Sequence, residues 1–275
     1  MRPNRLFKGE PLCHFLARNI TKNIQTSPNM SQAVVEAVFI PLVAGLDITT
    51  GDDKKLIDET LSTIKSQPGC SAIYYGRQLE HPDVLQFLIG KSASPRRWSG
   101  RISTNSHGAI EWESLQHHKD FQERPIYGPF VEKLTPALAG EVSIHHLEIQ
   151  TKAPQDFTAA ASAPVTECIT LYFEPSHPNE AFQSNYDQFV ELGLKLGKEV
   201  KGIAGGWSVE EHKHANLGAK EGEEGPAKVF GSFVGWPSVQ AHMEFRSAEF
   251  FPEIVSKVRD GPKGRTVHHV AFQKF

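Results

Sequence analysis

The sequence predicts an α+β fold built from two tandem β-α-β-β-α-β units. Three observations predict it: a residue frame that occurs twice, the same order of helical and strand-like periodicity around each occurrence, and an ordinary globular composition. The frame is W-x-S-x-Q-x-H-x-x-F. It reads WESLQHHKDF at 112–121 and WPSVQAHMEF at 236–245, so Trp112 answers Trp236, Ser114 Ser238, Gln116 Gln240, His118 His242 and Phe121 Phe245. Downstream, VSIHHLEI (142–149) matches TVHHVAF (266–272), pairing His145 and His146 with His268 and His269. Upstream, VVEAVFIPL (34–42) resembles PVTECITLYF (164–173), with Glu36 against Glu167.

Each unit reads in the same order. In the first, 34–42 is strand-like, rich in β-branched and aromatic residues. After Asp52 and Asp53, the spacing of Leu56, Ile57, Leu61 and Ile64 predicts a helix, which Pro68-Gly69 stops. CSAIYYGRQ and VLQFLI read as strands joined through His81-Pro82-Asp83. A second helical stretch starts at Ser114, a good N-cap, and resumes after Pro125; strand 142–149 closes the unit. The second unit has strand 165–173, then a helix over 181–200 with Phe189, Leu192, Leu196 and Val200 on one stripe. Strands IAGGWSV and KVFGSFVG, short helices around 238–258 and strand 266–272 follow. The charged run 210–228 reads as a long exposed loop, and 151–163 as a linker. The order is the ferredoxin-like, split-βαβ arrangement. Each unit leaves one sheet face bare, and two linked copies can bury those faces against each other.

Composition narrows the function classes. The 275 residues are 39% hydrophobic and 22% charged, and the net charge of −3 argues against a general nucleic-acid binder. No apolar run approaches the roughly 20 residues that cross a bilayer. Cys13, Cys70 and Cys168 lie far apart without a CxxC, which suits a reducing compartment and excludes a cysteine-built zinc site. The first thirty residues carry Arg2, Arg5, Lys8, Arg18 and Lys22 against a single Glu10. The expected reading is that translation starts at Met30, giving a cytoplasmic protein. A mitochondrial transit peptide over 1–29, or a disordered tail, are the alternatives. The fold is then expected over 31–150 and 164–275.

The run QPGCSAIYYGRQLEHPDVLQFLI followed by WESLQHHKDF resembles the dimeric α/β-barrel superfamily, and within it the antibiotic-biosynthesis-monooxygenase-like (ABM) domains in the tandem form common among filamentous fungi. The resemblance covers 34–150 and 164–275. It implies that the two units close as an intramolecular dimeric α/β barrel, a monomeric pseudo-dimer or a homodimer of such chains. Members of that superfamily include cofactor-free oxygenases of polyketide phenols, decarboxylases, cyclases and haem-degrading enzymes, so the scaffold does not fix the activity.

The units differ at one place. FGSFVG-WPSVQAH runs straight from strand to helix, whereas twenty-one residues, Gly90–Ile110, intervene before Glu111 and Trp112 in the first unit. This stretch is basic and Ser-rich, with Lys91, Arg96, Arg97 and Arg101. Gly90-Lys91-Ser92 can be encoded with a donor splice site, Thr104-Asn105 with a branch point and Ile110-Glu111 with an acceptor. Removing the DNA between them keeps the frame and rebuilds VLQFLIEWESLQHHKDF, restoring the acidic residue before Trp that the resembled family carries. The expectation is a retained intron; a lid loop or a basic binding loop are the alternatives.

No GxSxG, HExxH, P-loop or strand-anchored GxGxxG is present. The candidates for chemistry come from the repeated frame. His118 and His242 stand four residues after Ser114 and Ser238, among aromatics, where a near-neutral imidazole can remove a phenolic or carbon-acid proton. Trp112, Trp236, Phe121 and Phe245 are expected to wall a substrate pocket or to anchor the core. Tyr75 and Arg77 share one face of a strand and could hold an enolate. Adjacent histidines on a strand face opposite ways, so one of His145/His146 and one of His268/His269 can enter a given cavity. No carboxylate pattern accompanies them, so neither metal nor cofactor is expected. Two functions remain: an enzyme of secondary metabolism using His118 or His242 as base on an aromatic or polyketide-like ligand, or a non-catalytic small-ligand or stress-associated protein, with haem binding a weaker third.

Overall fold

β1 (Val35–Pro41) is apolar apart from Glu36, and all but two of its residues are buried. In the computed structural model, which describes residues 34–70, 72–92, 110–111, 115–149 and 153–275, it lies between β3 (Val84–Ser92) and β5 (Ser143–Ile149). It is antiparallel to both, with Glu36 opposite Ile89 on one side and His146 on the other. β2 (Ala72–Arg77) pairs the outer side of β3. α1 (Gly51–Lys65) buries Ile57, Leu61 and Ile64 of the expected stripe, with Thr60 besides, while Leu56 is half-buried. Past β3, β4 (Ile110–Glu111) folds back on Lys91 and Ser92, then come α2 (Leu115–Glu123) and α3 (Tyr127–Leu134). The leader, the middle of the 90–110 stretch, Trp112 and Ser114 lie outside the described residues.

The second half repeats the pairing. β6 (Val165–Phe173) lies between β9 (Gly225–Trp236) and β10 (Gly264–Val270), with Glu167 opposite Val234 and His269. That is the register of Glu36 opposite Ile89 and His146. β7 (Gly202–Ser208) pairs the outer side of β9, and α5 (Asn179–Leu196), α6 (Val239–Arg246) and α7 (Phe251–Arg259) supply the helices.

Two segments differ from their expected form. The stretch 210–228 is not a bare loop: β8 (His212–His214) pairs residues 225–227, covering the early part of a twelve-residue β9 that outruns β6. The linker 151–163 contains α4 (Phe157–Ala161), N-capped by Asp156, whose carboxylate accepts the Ala159 N–H at 2.9 Å. Its alanines press on strands that carry glycine at the contact. A Cβ on Gly202 would lie 2.7 Å from the Ala160 nitrogen, and one on Gly235 2.9 Å from the Ala160 Cα.

Among the described residues, the strands form one curled antiparallel sheet of eleven, in the order β10-β6-β9-β7-β5-β1-β3-β2-β11, with β4 on β3 and β8 on β9. The halves meet where β5 pairs β7, from Leu147–Ser208 to Ile149–Gly206. At the far ends, β11 (Gln273–Lys274) follows β10 directly yet pairs Tyr74 and Tyr75 of β2, and Val270 bridges Gln78. One chain segment therefore touches both ends of the sheet. A core cluster draws Val35, Ala37, Tyr74 and Leu147 from the first half and Cys168, Ala204, Phe233 and Val270 from the second. Two further clusters lie between each half's strands and its helices.

Candidate functional site

Strand alternation sorts the paired histidines. His145 faces the layer between the halves, against the rings of Phe39 (5.2 Å) and His212 (4.2 Å). His268 faces the same layer and donates Nε2–H to Gln86 Oε1 at 2.6 Å. His146 and His269 therefore turn toward the helices. In the first turns of α2, His118 is buried on the sheet-facing side with Leu115 and Phe121, and its Nδ1 lies 2.5 Å from His146 Nε2. The other nitrogen of His146, Nδ1–H, donates to Glu210 Oε1. Glu210 Oε2 accepts the His146 backbone N–H (3.0 Å) and the Ser208 hydroxyl (2.7 Å). Glu36, directly across the β1–β5 pair from His146, brings Oε2 to 3.5 Å from His118 Nδ1. The result is a buried row: Glu36, His118, His146, Glu210.

The second half holds the matching row. Glu167 Oε2 is 3.4 Å from His242 Nε2, and His242 Nδ1 is 2.7 Å from His269 Nε2. His269 donates its Nδ1–H and its backbone N–H to Glu80 at 2.5 and 2.7 Å. Glu80 and Glu210 each serve histidines of the opposite half. Each follows by four residues a glycine at a junction where no side chain fits. A Cβ on Gly206 would lie 2.1 Å from the Glu148 carbonyl oxygen, and one on Gly76 2.8 Å from that of Ala271. The recurrence of Gly-x3-Glu, at 76–80 and 206–210, was the signal available for these carboxylates.

Burial pulls the His118 imidazole down to about 4, with Glu36 opposing, below the near-neutral value expected from the sequence, so it is neutral at neutral pH. Burial acts on His146 in the same direction, but the Glu210 charge and hydrogen bond outweigh it, and His146 is raised. Glu210, despite burial, is held down to about 2 by the His146 charge and its hydrogen bonds. In the second row burial lifts Glu167 to about 7 against the Trp236 indole N–H, which donates to it at 3.2 Å. Burial, with His269 adding to it, lowers His242 to about 4.

The rows differ in what lies beside them. Glu36 and His118 border a cavity of about 80 Å³ whose remaining wall is almost wholly apolar, including Val38, Ile64, Phe121 and Phe130. The second half packs the corresponding layer with large rings: Phe182, Tyr186, Trp207 and Phe230 touch at centroid distances from 4.6 to 5.8 Å. Tyr186 further bonds Ser232 at 2.7 Å, and Trp236 stacks on His242 at 5.0 Å. His118 lines the cavity; His242 is buried beside Trp236.

Of the other predicted residues, only Phe121 among those described reaches it. Phe121 lines the cavity, whereas Phe245 packs on Trp236, Phe250 and Phe251. Arg77 ties down two loops by donating to the carbonyls of Pro82 and Leu46. Tyr75 donates to Gln273 at 3.2 Å and meets the edge of Phe275. Sequence reasoning missed Glu36, Glu167, Glu80 and Glu210 as members of the rows. Glu36, His118 and His146 also bring potential metal-ligand atoms within 4.8 Å of one another. Two nitrogens ligating one ion at about 2.1 Å and right angles stand about 3 Å apart. The 2.5 Å between His118 and His146 is closer than that, so as arranged the pair shares a proton.

No protein-family model matches the sequence, and no curated protein matches it. Solved structures do. An anthrone oxidase-like protein is similar with a TM-score of 0.57 and 11% identity, over 92% of this chain and 94% of its own. A candidate monooxygenase from Fusobacterium nucleatum is similar at 0.52 and 8%, over 88% and 93%. Another, from Lactobacillus acidophilus, stands at 0.50 and 11%, over 88% and 94%. At these identities the likeness is one of fold.

Proposed function

We propose that the chain is two β-α-β-β-α-β copies, 31–150 and 164–275, closed as an intramolecular dimeric α/β barrel with one working site, in the first copy. The site is that of a small-molecule enzyme of the oxygenase, cyclase or decarboxylase class, acting on an aromatic or polyketide-like ligand without a resident cofactor. The observation that carries this reading is His118: buried, neutral, hydrogen-bonded to His146 and bordering an apolar cavity. The matched register of Glu36 and Glu167, and the segment that joins both sheet ends, support the two-copy barrel. The names borne by the structural neighbours agree with the reaction class.

The chemistry follows from the surroundings. A phenol or an activated C–H in the cavity gives its proton to His118, a step in which a well-placed base contributes about 10²–10⁴-fold. The anion left behind lies between apolar walls that exclude water. There it reacts with dioxygen, loses carbon dioxide or closes a ring, according to the ligand. We further propose that Gly90–Ile110 is dispensable and that residues 1–30 lie outside the fold.

Oxygen uptake with anthrone, a carbon acid whose enol is a phenol, tests the reading. His118→Ala and His118→Asn are expected to lower turnover about 10²–10⁴-fold, and His242→Ala to change it little. Full turnover by both His118 variants overturns it.

A further inference from the structure

We infer that Glu210, which the second half supplies, is the positioning residue that fixes the tautomer and sets the basicity of the His118–His146 pair in the first half. This rests on the proton-abstracting role given to His118, but its test does not require turnover. Glu210 is anchored before it acts: one oxygen takes the His146 backbone N–H and the Ser208 hydroxyl, the other the His146 Nδ1–H. Holding the proton on Nδ1 leaves His146 Nε2 as the acceptor facing His118 Nδ1. The second oxygen is then in place for the charge that develops.

The proton moves as follows. The ligand proton is taken by His118 Nε2, displacing the Gln122 amide that lies 3.2 Å from it, and the Nδ1 proton of His118 passes to His146 Nε2. His146 becomes an imidazolium against the Glu210 carboxylate. The ligand anion and His146 cation are the only new charges, nothing is oxidised or reduced, and the reverse path returns the proton to product. The ionisable groups around His146 come from every packed element: Glu36 from β1, His118 and Lys119 from α2, its neighbour His145 on β5, Glu210 beyond β7 and His212 on β8. Of the carboxylates, Glu210 is the one in direct hydrogen bond with it. Raised basicity at His146 accords with that contact. Glu80 makes the matching bonds to His269 from a more exposed position and serves as the internal control.

The test is imidazole ¹⁵N NMR of the full chain across pH, in wild type, Glu210→Gln and Glu80→Gln. Wild-type His146 is expected as the Nδ1–H tautomer when neutral. Glu210→Gln is expected to lower its proton affinity by about tenfold or more, one unit or more in the midpoint. Glu80→Gln is expected to leave the His146 midpoint in place. In turnover, the acidic limb of the Glu210→Gln rate profile moves to lower pH, with kcat reduced and KM little changed. If Glu210→Gln does not fold, Glu210→Asp, which keeps the charge at a longer reach, is expected to give an intermediate midpoint. An unchanged His146 midpoint in the folded variants, an equal shift from Glu80→Gln, or a wild-type Nε2–H tautomer overturns the inference. Loss of His146 positioning with no anthrone turnover in wild type would instead sustain this role and sink the substrate reading.

Discussion

Acid should unfold this protein early, because four buried histidines are held neutral by their surroundings. Burial lowers His118, His242 and His268 to about 4 and His145 to about 3. In the unfolded chain each titrates near 6.5. A folded value below the unfolded one means that stability is full above about 6.5 and is lost as pH falls through the window to about 4. At pH 5 each site has lost about 1.4 kcal/mol for each of roughly 1.5 units, or about 8 kcal/mol for the four together. Glu167 works the other way. Burial raises it to about 7, so it costs stability at neutral pH and returns about 3 kcal/mol between pH 7 and 5. His146, also raised in the folded state, contributes stability below about 6.5 that is lost as pH rises through its folded value. The four histidines and Glu167 together lose about 5 kcal/mol from pH 7 to 5, comparable to the whole stability of many domains, and the stability His146 regains offsets part of it. Urea unfolding followed by tryptophan fluorescence at pH 8, 7, 6 and 5 measures it. The midpoint is expected to hold between pH 8 and 7 and to fall steeply below 6.5, less steeply in His145→Phe. A midpoint unchanged from pH 7 to 5 would refute the reasoning.

Filling the cavity with Val38→Phe should abolish stabilisation by a bound phenol in a thermal-shift assay while leaving the unliganded melting temperature within a few degrees. Truncating Trp236 to Ala should destabilise the chain by about 3–5 kcal/mol in urea, through cavity formation and a lost bond to Glu167, yet spare turnover at the first site. Arg77→Ala removes donors to two carbonyls and should cost about 1–3 kcal/mol with the rate unchanged. Deleting Gly90–Ile110 should yield a folded protein, because the deletion joins Ile89 to Glu111 in the register by which Val234 leads to Gly235 and Trp236; insoluble product would count against the proposal.

What the sequence made legible was local or periodic. The stripe Leu61–Ile64, the strands around Glu36 and Glu167, and the equivalent positions of His118 and His242 follow from spacing within a few residues. The helix 179–196, by contrast, buries Phe182, Tyr186, Val190 and Gly193 rather than the expected Phe189, Leu192, Leu196 and Val200. Alternation showed that His145 and His146 must part ways, but only the β1–β5 register shows that His146 meets Glu36 and His118. The same rule placed Tyr75 and Arg77 on one face without saying that loop carbonyls and the C-terminal strand, rather than a ligand, lie there. Glu80 and Glu210 were out of reach for another reason. Each acts on the other half, through contacts 189 and 64 residues apart, which no local period encodes. The contrast between open and filled layers was present as side-chain volume, Ile57 and Leu61 against Phe182 and Tyr186, but becomes meaningful only once those helices are known to cover equivalent strands.

The central claim is that one of two similar histidine rows works on a ligand. Titrating ¹⁵N-histidine-labelled protein with a non-reacting phenol such as 1-naphthol tests it most directly. The account predicts saturable shifts at His118 and His146, with His242 and His269 unmoved. Shifts at His242 and His269, or binding that leaves His118 unmoved, would contradict it.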